Sequence, residues 1–290
     1  MNKMNLSVSE ANLDKIIVQA LAEDIGDGDH TTLATIPPDA QGKARLIVKD
    51  TGILCGVPIA HEIFLKVDPD LQMIIHFQDG SEIKNGDVVF EVKGRAASIL
   101  QAERLVLNFM QRLSGIATAT HWVVIKLQGL HTRILDTRKT TPLLRELEKY
   151  AVRTGGGWNH RMGLFDMIMI KDNHVDFAGG ITLAIDSVHE YLHKKGKELK
   201  VEIEVRNYDE LQQVLDHGGI DRIMLDNFSV EKMSEAMQRI GSRYETEASG
   251  GITMDNVRAY AETGVDFISI GALTHHIKSL DMSLKAVRER

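Results

Sequence analysis

VEIEVRNYDELQQVLDHGGIDRIMLDN, residues 201–227, sets the reading of the whole chain. VEIEV (201–205) is strand-like, residues 208–217 are helix-like, and RIMLD (222–226) is strand-like again. Two neighbouring strands joined through a helix lie parallel, because the crossover returns the chain to the same end of the sheet. The alternation extends both ways. Upstream lie RILD (133–136) with a helix over 142–153 and MIMIK (167–171) with a helix over 178–195. Downstream lie a helix over 230–240, YETEAS (244–249) with a helix over 253–263, and FISIG (267–271). Six strands are legible, and 113–125 leaves room for a seventh. That number suits a barrel or near-barrel as well as an open sheet. No residue signature recurs with the βα spacing, which argues against a solenoid.

The first hundred residues have another rhythm. Leu13, Ile16, Ile17, Ala20 and Leu21 share one face of a helix over 9–24, with Ser9 as its cap. EDIGDGDHTT reads as a loop. KARLIVK (43–49), MIIHF (73–77) and VVFEV (88–92) read as strands, with a helix over 57–67 between the first two. This is a mixed α+β unit, and a long apolar helix over roughly 96–127 leads away from it. LDMSLKAV (280–287) alternates like a further strand, placed to return to this unit.

Composition narrows the function classes. The chain has 290 residues, 43% hydrophobic and 26% charged, with a net charge of −7. These are ordinary values for a soluble globular protein with a sizeable core. An acidic balance argues against a broad nucleic-acid surface. The longest stretch without Lys, Arg, Asp or Glu is 113–125, short of the roughly 20 apolar residues that a membrane span needs. Cys55 is the single cysteine, so no intramolecular disulfide forms, and its ILCGV context reads as a buried, inert thiol. The expectation is a cytoplasmic protein with no nucleic-acid or membrane partner.

Polar residues collect where the parallel strands end. These are Asp136, Thr137, Arg138 and Lys139; Lys171, Asp172, Asn173 and His174; Glu202 and Glu204; Asp226 and Asn227; Ser249, Gly250 and Gly251; and Gly271 and Ala272. The carboxyl ends of parallel strands form the working face of such folds. Lys171 and the two glutamates of VEIEV are expected to be buried. Ser249-Gly250-Gly251 between strand and helix reads as a phosphate nest, and Gly271-Ala272 after the last strand as its neighbour, with His275 as a further donor. His276 reads as a surface side chain. Arg138, Lys139, Arg153, His160, Arg161 and Lys171 form a cationic set suited to carboxylates and phosphates. Gly155-Gly156-Gly157, followed by Asn159-His160-Arg161, reads as a loop presenting side chains to a ligand. Glu204 and Asp226 end neighbouring strands and suit Mg²⁺ or ribose hydroxyls. No Ser or Cys has an evident base, and there is no CxxC or HExxH. The implied site is a basic bowl with two acids, working by positioning and electrostatics.

DTRKTTP (136–142), EKYAVRTGGGWNHR (148–161), MIKDNHV (169–175), VEIEV, MLDN (224–227), ASGGI (248–252) and IGALTH (270–275) together resemble quinolinate phosphoribosyltransferases. ALAEDIGDGDHTT (20–32) and QAERLVLNFMQRLSGIAT (101–118) extend the match. The resemblance implies an α/β fold: an N-terminal α/β sandwich domain, 1–112, then an incomplete, open α/β barrel of parallel strands, 113–275. The tail 276–290 would return to the first domain. It implies that quinolinate and phosphoribosyl pyrophosphate give nicotinate mononucleotide, pyrophosphate and CO2, with Mg²⁺, in de novo NAD biosynthesis. By the same resemblance, Arg104 reaches quinolinate from the neighbouring subunit of a homodimer with shared sites, which could assemble further. Arg138, His160 and Arg161 hold the quinolinate carboxylates, with Thr137 beside them. Lys139 and Lys171 lie between quinolinate and pyrophosphate. Glu204 and Asp226 hold ribose hydroxyls and Mg²⁺, the metal mostly through the substrate. Ser249, Gly250, Gly251, Gly271, Ala272 and His275 hold phosphate. Lys139, Lys171, Glu204 and Asp226 are the catalytic set.

Two details depart from the family pattern. The GGI at 218–220 is one residue longer than expected, so Glu202 stands beside Glu204 for the carboxylate role, and Trp158 fills a variable position. The rival readings are a phosphoribosyltransferase using nicotinate or another acceptor, a relative tied to molybdate transport, and a non-catalytic anion-binding protein on the same fold. A monocarboxylate needs fewer cations than Arg104, Arg138, His160 and Arg161 provide. A scaffold has no need of Lys139, Lys171, Glu204 and Asp226 together.

Overall fold

The structure, a computed structural model, describes residues 8–287. Its strands are β1 (Gln41–Val48), β2 (Gly52–Ile53), β3 (Gln72–Ile75), β4 (Glu82–Ile83), β5 (Val88–Arg95), β6 (Arg133–Leu135), β7 (Ile168–Ile170), β8 (Val201–Val205), β9 (Arg222–Asp226), β10 (Glu245–Ser249), β11 (Phe267–Ser269) and β12 (Met282–Ala286). The described residues up to His121, with Thr140–Gly156 and those from Leu273 onward, form one compact unit. Trp122–Lys139 with Gly157–Ala272 form the other. The boundary expected at 112/113 lies inside one unbroken helix, Ala96–Lys126, and so does the division after His121. Residues 140–156 cluster with the first unit because Tyr150 donates its hydroxyl proton to Asp79 at 2.7 Å and Glu148 pairs with Arg112. The parts of those ranges at 1–7 and 288–290 lie outside the described residues.

In the first unit, β12, β1, β5 and β3 form a four-stranded antiparallel sheet, and β2 pairs with β4. The tail strand joins as expected: Ala44 faces Ala286 and Val48 faces Met282. On β1 the alternate residues Ala44, Leu46 and Val48 are buried, and Val92 and Phe90 of β5, paired with Ala44 and Leu46, are buried with them. Phe90 meets Phe64 of the helix Val57–Val67 edge to face, ring centroids 5.8 Å apart. That helix begins where Asp79 accepts the N–H groups of Gly56 and Val57 at 2.8 and 2.9 Å. The same carboxylate adds its charge to burial in pushing the Cys55 thiol well up, which leaves it inert.

The second unit is a six-stranded parallel sheet in the order β6-β11-β10-β9-β8-β7. Its two edges, β6 and β7, do not pair with each other, so the barrel is incomplete. There is no seventh strand at 113–125. That stretch lacks charge because it is the second half of the 31-residue helix Ala96–Lys126, packed on its apolar side. The loop expected over 23–32 is shorter: the first helix runs to Ile25, and a short helix, His30–Thr35, begins where Asp29 accepts from Thr32 N at 3.0 Å. The helix after β6 starts later than expected, at Arg145. The one expected over 178–195 begins at Ile181 and is preceded by a separate short helix, Asp172–Ala178. After β10, only Val257–Ala261 is helical.

Every residue of β8 is buried, yet its two faces differ in kind. Ile203, Ile223, Leu225, Ala248 and Ile268 form the apolar side. Glu202, Glu204, Arg222 and Glu247 are buried on the other, and they are brought level by register: Glu202 pairs with Arg222, Glu204 and Glu247 with Met224, and Ser249 with Asp226. Period-two alternation thus carries a charged lining through the middle of the sheet.

Candidate active site

The charged lining has a deep layer and a mouth, and these separate the two glutamates of VEIEV. Glu202 lies deep: its Oε2 is 3.0 Å from His160 Nε2, and Glu247 Oε2 is 3.4 Å from the same nitrogen. Arg222 closes the layer from below, with Nη1 3.0 Å from Glu247 Oε2, Nη2 3.0 Å from Glu245 Oε2, and its guanidinium 4.0 Å from the centre of the Phe267 ring. Burial works to raise Glu247, but His160, Ser269 and Arg222 outweigh it and hold the group below its usual range. Glu202 goes the other way, raised by burial and by the charge of Glu247. Burial opposes charge on His160, and the two carboxylates outweigh it, lifting its pKa to about 9.

The other ring nitrogen resists that second proton. Nδ1 of His160 accepts the Arg161 N–H at 2.7 Å, which an imidazolium cannot do. The loop as it stands fits the ring with its proton on Nε2, and charging the ring requires the loop to shift. His160, Glu202 and Glu247 could by spacing hold a metal, their ligand atoms lying within 4.8 Å of one another. Arg222 and the Nε2 proton already occupy the cation's place, so the cluster reads as an ion-pair layer.

The mouth is built above it. Glu204 is the last but one residue of β8, and its Oε2 lies 3.9 Å from Lys171 Nζ. Burial raises Glu204, and Asp226 adds to this; Asp226 is raised by burial too, against Asn227, Lys171 and Lys139. Two acids each pushed up in this way fit a divalent cation or a pair of hydroxyls. Lys171 is not buried as expected: its side chain is 48% exposed. It sits one residue beyond β7, where the sheet ends, with its backbone N–H fixed by His174 Nδ1 at 2.9 Å. Lys139 is likewise exposed, and its N–H donates to Thr137 Oγ1 at 3.0 Å.

Arg138 and Arg161 are close enough that Arg138, after burial, lowers Arg161 below the usual guanidinium range. Arg161 is 9% exposed and donates through Nη1 to the Met167 carbonyl at 3.1 Å. Two neighbouring guanidiniums with little solvent form a receptor for a carboxylate. What places them is Asp136, fully buried, which accepts Asn159 Nδ2 at 2.5 Å and the His160 N–H at 2.9 Å. Asp136 was legible as a strand-end acid but not as this anchor. Asp136 N–H also donates to the Trp158 carbonyl at 3.1 Å, while Trp158 N–H donates to Ile134 at 2.7 Å. Trp158 therefore lies alongside β6, half exposed, with Arg133 4.1 Å over its ring.

Gly155, which opens the glycine loop, has a packing role besides. A Cβ on Gly155 would lie 2.3 Å from the Ala117 carbonyl, so this glycine admits close packing against the long helix. The Ser249-Gly250-Gly251 turn does need its glycines for conformation. Gly250 has φ +89, and a Cβ there would lie 2.3 Å from Asn227 Oδ1. Gly271 is half-buried and Ala272 exposed, just beyond β11. The mouth thus brings together Lys139, Lys171, Glu204, Asp226 and the small-residue turns on the carboxyl ends of one sheet, while Arg161, beside Arg138, lies in the loop before β7 within reach of the charge of Glu202. Arg104 and His275 belong to the first unit. Arg104 lies on the helix Ala96–Lys126, and His275 is exposed with its ring 4.3 Å from that of His276.

Comparison with known proteins points the same way. The family model described as "Quinolinate phosphoribosyl transferase, C-terminal domain" matches residues 116–285, and its N-terminal counterpart matches 29–114. The chain is 46% identical over 290 aligned residues to the Nicotiana tabacum "Quinolinate phosphoribosyltransferase [decarboxylating] 1b", covering 94% of this chain and 82% of that one. It is 42% identical over 277 residues to the Bacillus subtilis "Probable nicotinate-nucleotide pyrophosphorylase [carboxylating]", covering 96% and 94%. The solved structure of the nicotinate-nucleotide pyrophosphorylase from Francisella tularensis superposes with a TM-score of 0.91 at 41% identity, covering 97% and 98% of the two chains.

Proposed function

The chain belongs to the quinolinate phosphoribosyltransferase family, and from that premise we infer that it joins quinolinate to phosphoribosyl pyrophosphate. The products are nicotinate mononucleotide, pyrophosphate and CO2, a step toward pyridine nucleotides. The observation that carries this reading is the neighbouring pair Arg138 and Arg161 in the same unit that carries Lys171, Glu204 and Asp226 at its strand ends. One group recognises a dicarboxylate and the other a phosphorylated ribose.

Arg138 and Arg161, with His160 behind them, hold the quinolinate carboxylates and turn the pyridine nitrogen toward the ribose. Lys139 and Lys171 take up the charge that grows on the departing pyrophosphate. Glu204 and Asp226 hold the ribose hydroxyls and favour the oxocarbenium-like centre formed as the bond to pyrophosphate breaks. Mg²⁺ held by these acids, mostly through the substrate, would add positive charge beside the pyrophosphate. Ser249, Gly250, Gly251, Gly271, Ala272 and His275 hold phosphate, and Thr137 orients the segment that carries Lys139. Once ribosylated, the ring nitrogen is cationic and stabilises the electron pair left at carbon when CO2 departs, and that carbon then takes a proton from water to give nicotinate mononucleotide. No protein nucleophile is called for.

A single incubation tests this: purified protein, phosphoribosyl pyrophosphate and Mg²⁺, with quinolinate or nicotinate in parallel. Nicotinate mononucleotide is expected from quinolinate alone. Product from nicotinate instead, or from neither, would remove the assignment.

A homodimer with shared sites accompanies the reading, Arg104 reaching the neighbouring subunit's quinolinate. Arg104→Ala and Lys171→Ala proteins, each nearly inactive, should regain up to about a quarter of wild-type turnover when their subunits are exchanged; no recovery would sink the shared site. Among the described residues no helix is long and apolar enough to cross a membrane. The lone buried Cys55 suits a reducing cytoplasm.

A further inference from the structure

We propose that Arg112 and Thr141 are positioning residues for phosphoribosyl transfer: Arg112 clamps both the segment following Lys139 and the segment carrying His275, and Thr141 is the handle it grips. The inference rests on the function proposed above and names residues that reading does not use.

Arg112 projects from the helix Ala96–Lys126 onto Glu148, which is fully buried. Its Nε and Nη2 lie 2.9 and 2.6 Å from Glu148 Oε1. Nη2 also donates to Thr141 Oγ1 at 2.7 Å and to the Thr274 carbonyl at 3.2 Å. Glu148 Oε2 completes the clamp by accepting the Thr141 N–H at 3.1 Å. One ion pair therefore holds Thr141 by both its backbone and its hydroxyl, and Thr274 by its carbonyl. Thr141 is two residues beyond Lys139, and Thr274 directly precedes His275. The strands that lead into these segments, β6 and β11, are hydrogen-bonded neighbours.

The backbone around the clamp is strained. Leu143 has φ 68, and Asn227 has φ 55; among the described residues they are the two non-glycine positions with positive φ. Each directly follows the segment at a strand end, β6 or β9, that carries proposed site residues. Leu143 is 79% exposed, so burial does not hold it there. The contacts around it do: Arg145 Nε reaches Thr140 Oγ1 at 3.0 Å, Leu144 N–H reaches the Thr141 carbonyl at 3.1 Å, and Arg112 with Glu148 pins Thr141. Strain of this kind persists where the surroundings over-determine a conformation. The Arg112 fork also cannot be copied by lysine, which offers a single point of charge.

Two substitutions at one position separate positioning from packing. Thr141→Val keeps the methyl and removes the hydroxyl; Thr141→Ser does the reverse. Thr141→Val should lower kcat by about tenfold, as for a small misplacement of a catalytic group. The KM for quinolinate should stay within about twofold, because the guanidiniums that bind it are held elsewhere. Thr141→Ser should turn over near the wild-type rate, and Arg112→Lys should fall at least as far as Thr141→Val. Hydrogen exchange of the amides at 139–144, which needs no substrate, should quicken in Thr141→Val and not in Thr141→Ser. Wild-type turnover by Thr141→Val, or impairment of Thr141→Ser instead, would overturn the proposal. So would unchanged exchange in Thr141→Val. A wild-type protein that makes no nicotinate mononucleotide would sink the functional reading, and the exchange comparison would still decide the clamp.

Discussion

Lys139→Ala is expected to lower kcat by about 10²–10³-fold, the usual loss when one preorganised charge facing the transition state is removed. Lys139 is exposed on the segment after β6, and its positive charge acts on Asp226 at the mouth. What orders its backbone is Thr137 Oγ1 on its own N–H, which alanine retains. The melting temperature should therefore stay with the wild type while turnover collapses. A rapid-quench measurement of pyrophosphate release, with quinolinate saturating, isolates the step. Wild-type release would mean that Lys171 alone carries the leaving group's charge.

Arg222→Met should cost stability on the scale of roughly 3–5 kcal/mol, typical when one partner of a buried pair is removed. Arg222 is 9% exposed and touches Glu245, Glu247 and the Phe267 ring. Without it, Glu247, fully buried, keeps only His160 and Ser269 to hold its charge, beside a Glu202 whose carboxyl burial already raises. Thermal unfolding should shift downward by on the order of 10 °C. The variant Arg222→Met/Glu247→Met should recover part of the loss, since an apolar pair can replace a buried ion pair. An unshifted Arg222→Met would show that the deep layer is neutral in the folded protein.

Much of this was legible in residues. VEIEV and RIMLD announced a parallel sheet with acids on one face, because period two is fixed by backbone geometry. The sequence could not rank Glu202 against Glu204. Both point to the same side, and only the pairing with Arg222 and Met224 separates deep layer from mouth. Lys171 was misjudged as buried because MIMIK reads as one apolar run, whereas β7 ends at Ile170. The seventh strand was an artefact of low charge: 113–125 lacks ionic residues because it packs inside a long helix, not because it is extended. Arg112 and Glu148 stayed hidden for another reason. They lie 36 residues apart, and neither stands at a strand end, so no local pattern joins them. The packing role of Gly155 was illegible because the Ala117 carbonyl beside it is distant in sequence.

Leaving a barrel open has a cost in colloidal behaviour that the Trp158 bridge answers. An unpaired strand edge is a template on which another chain can add, and long apolar edges nucleate aggregates. Here β6 is covered: Trp158 N–H takes the Ile134 carbonyl and Asp136 N–H is given to the Trp158 carbonyl. The opposite edge, β7, is only three residues long, too short to register a foreign strand. The residues that fix Asn159 and His160 in place therefore also blunt the sheet, so weakening Asp136 would threaten solubility as well as catalysis.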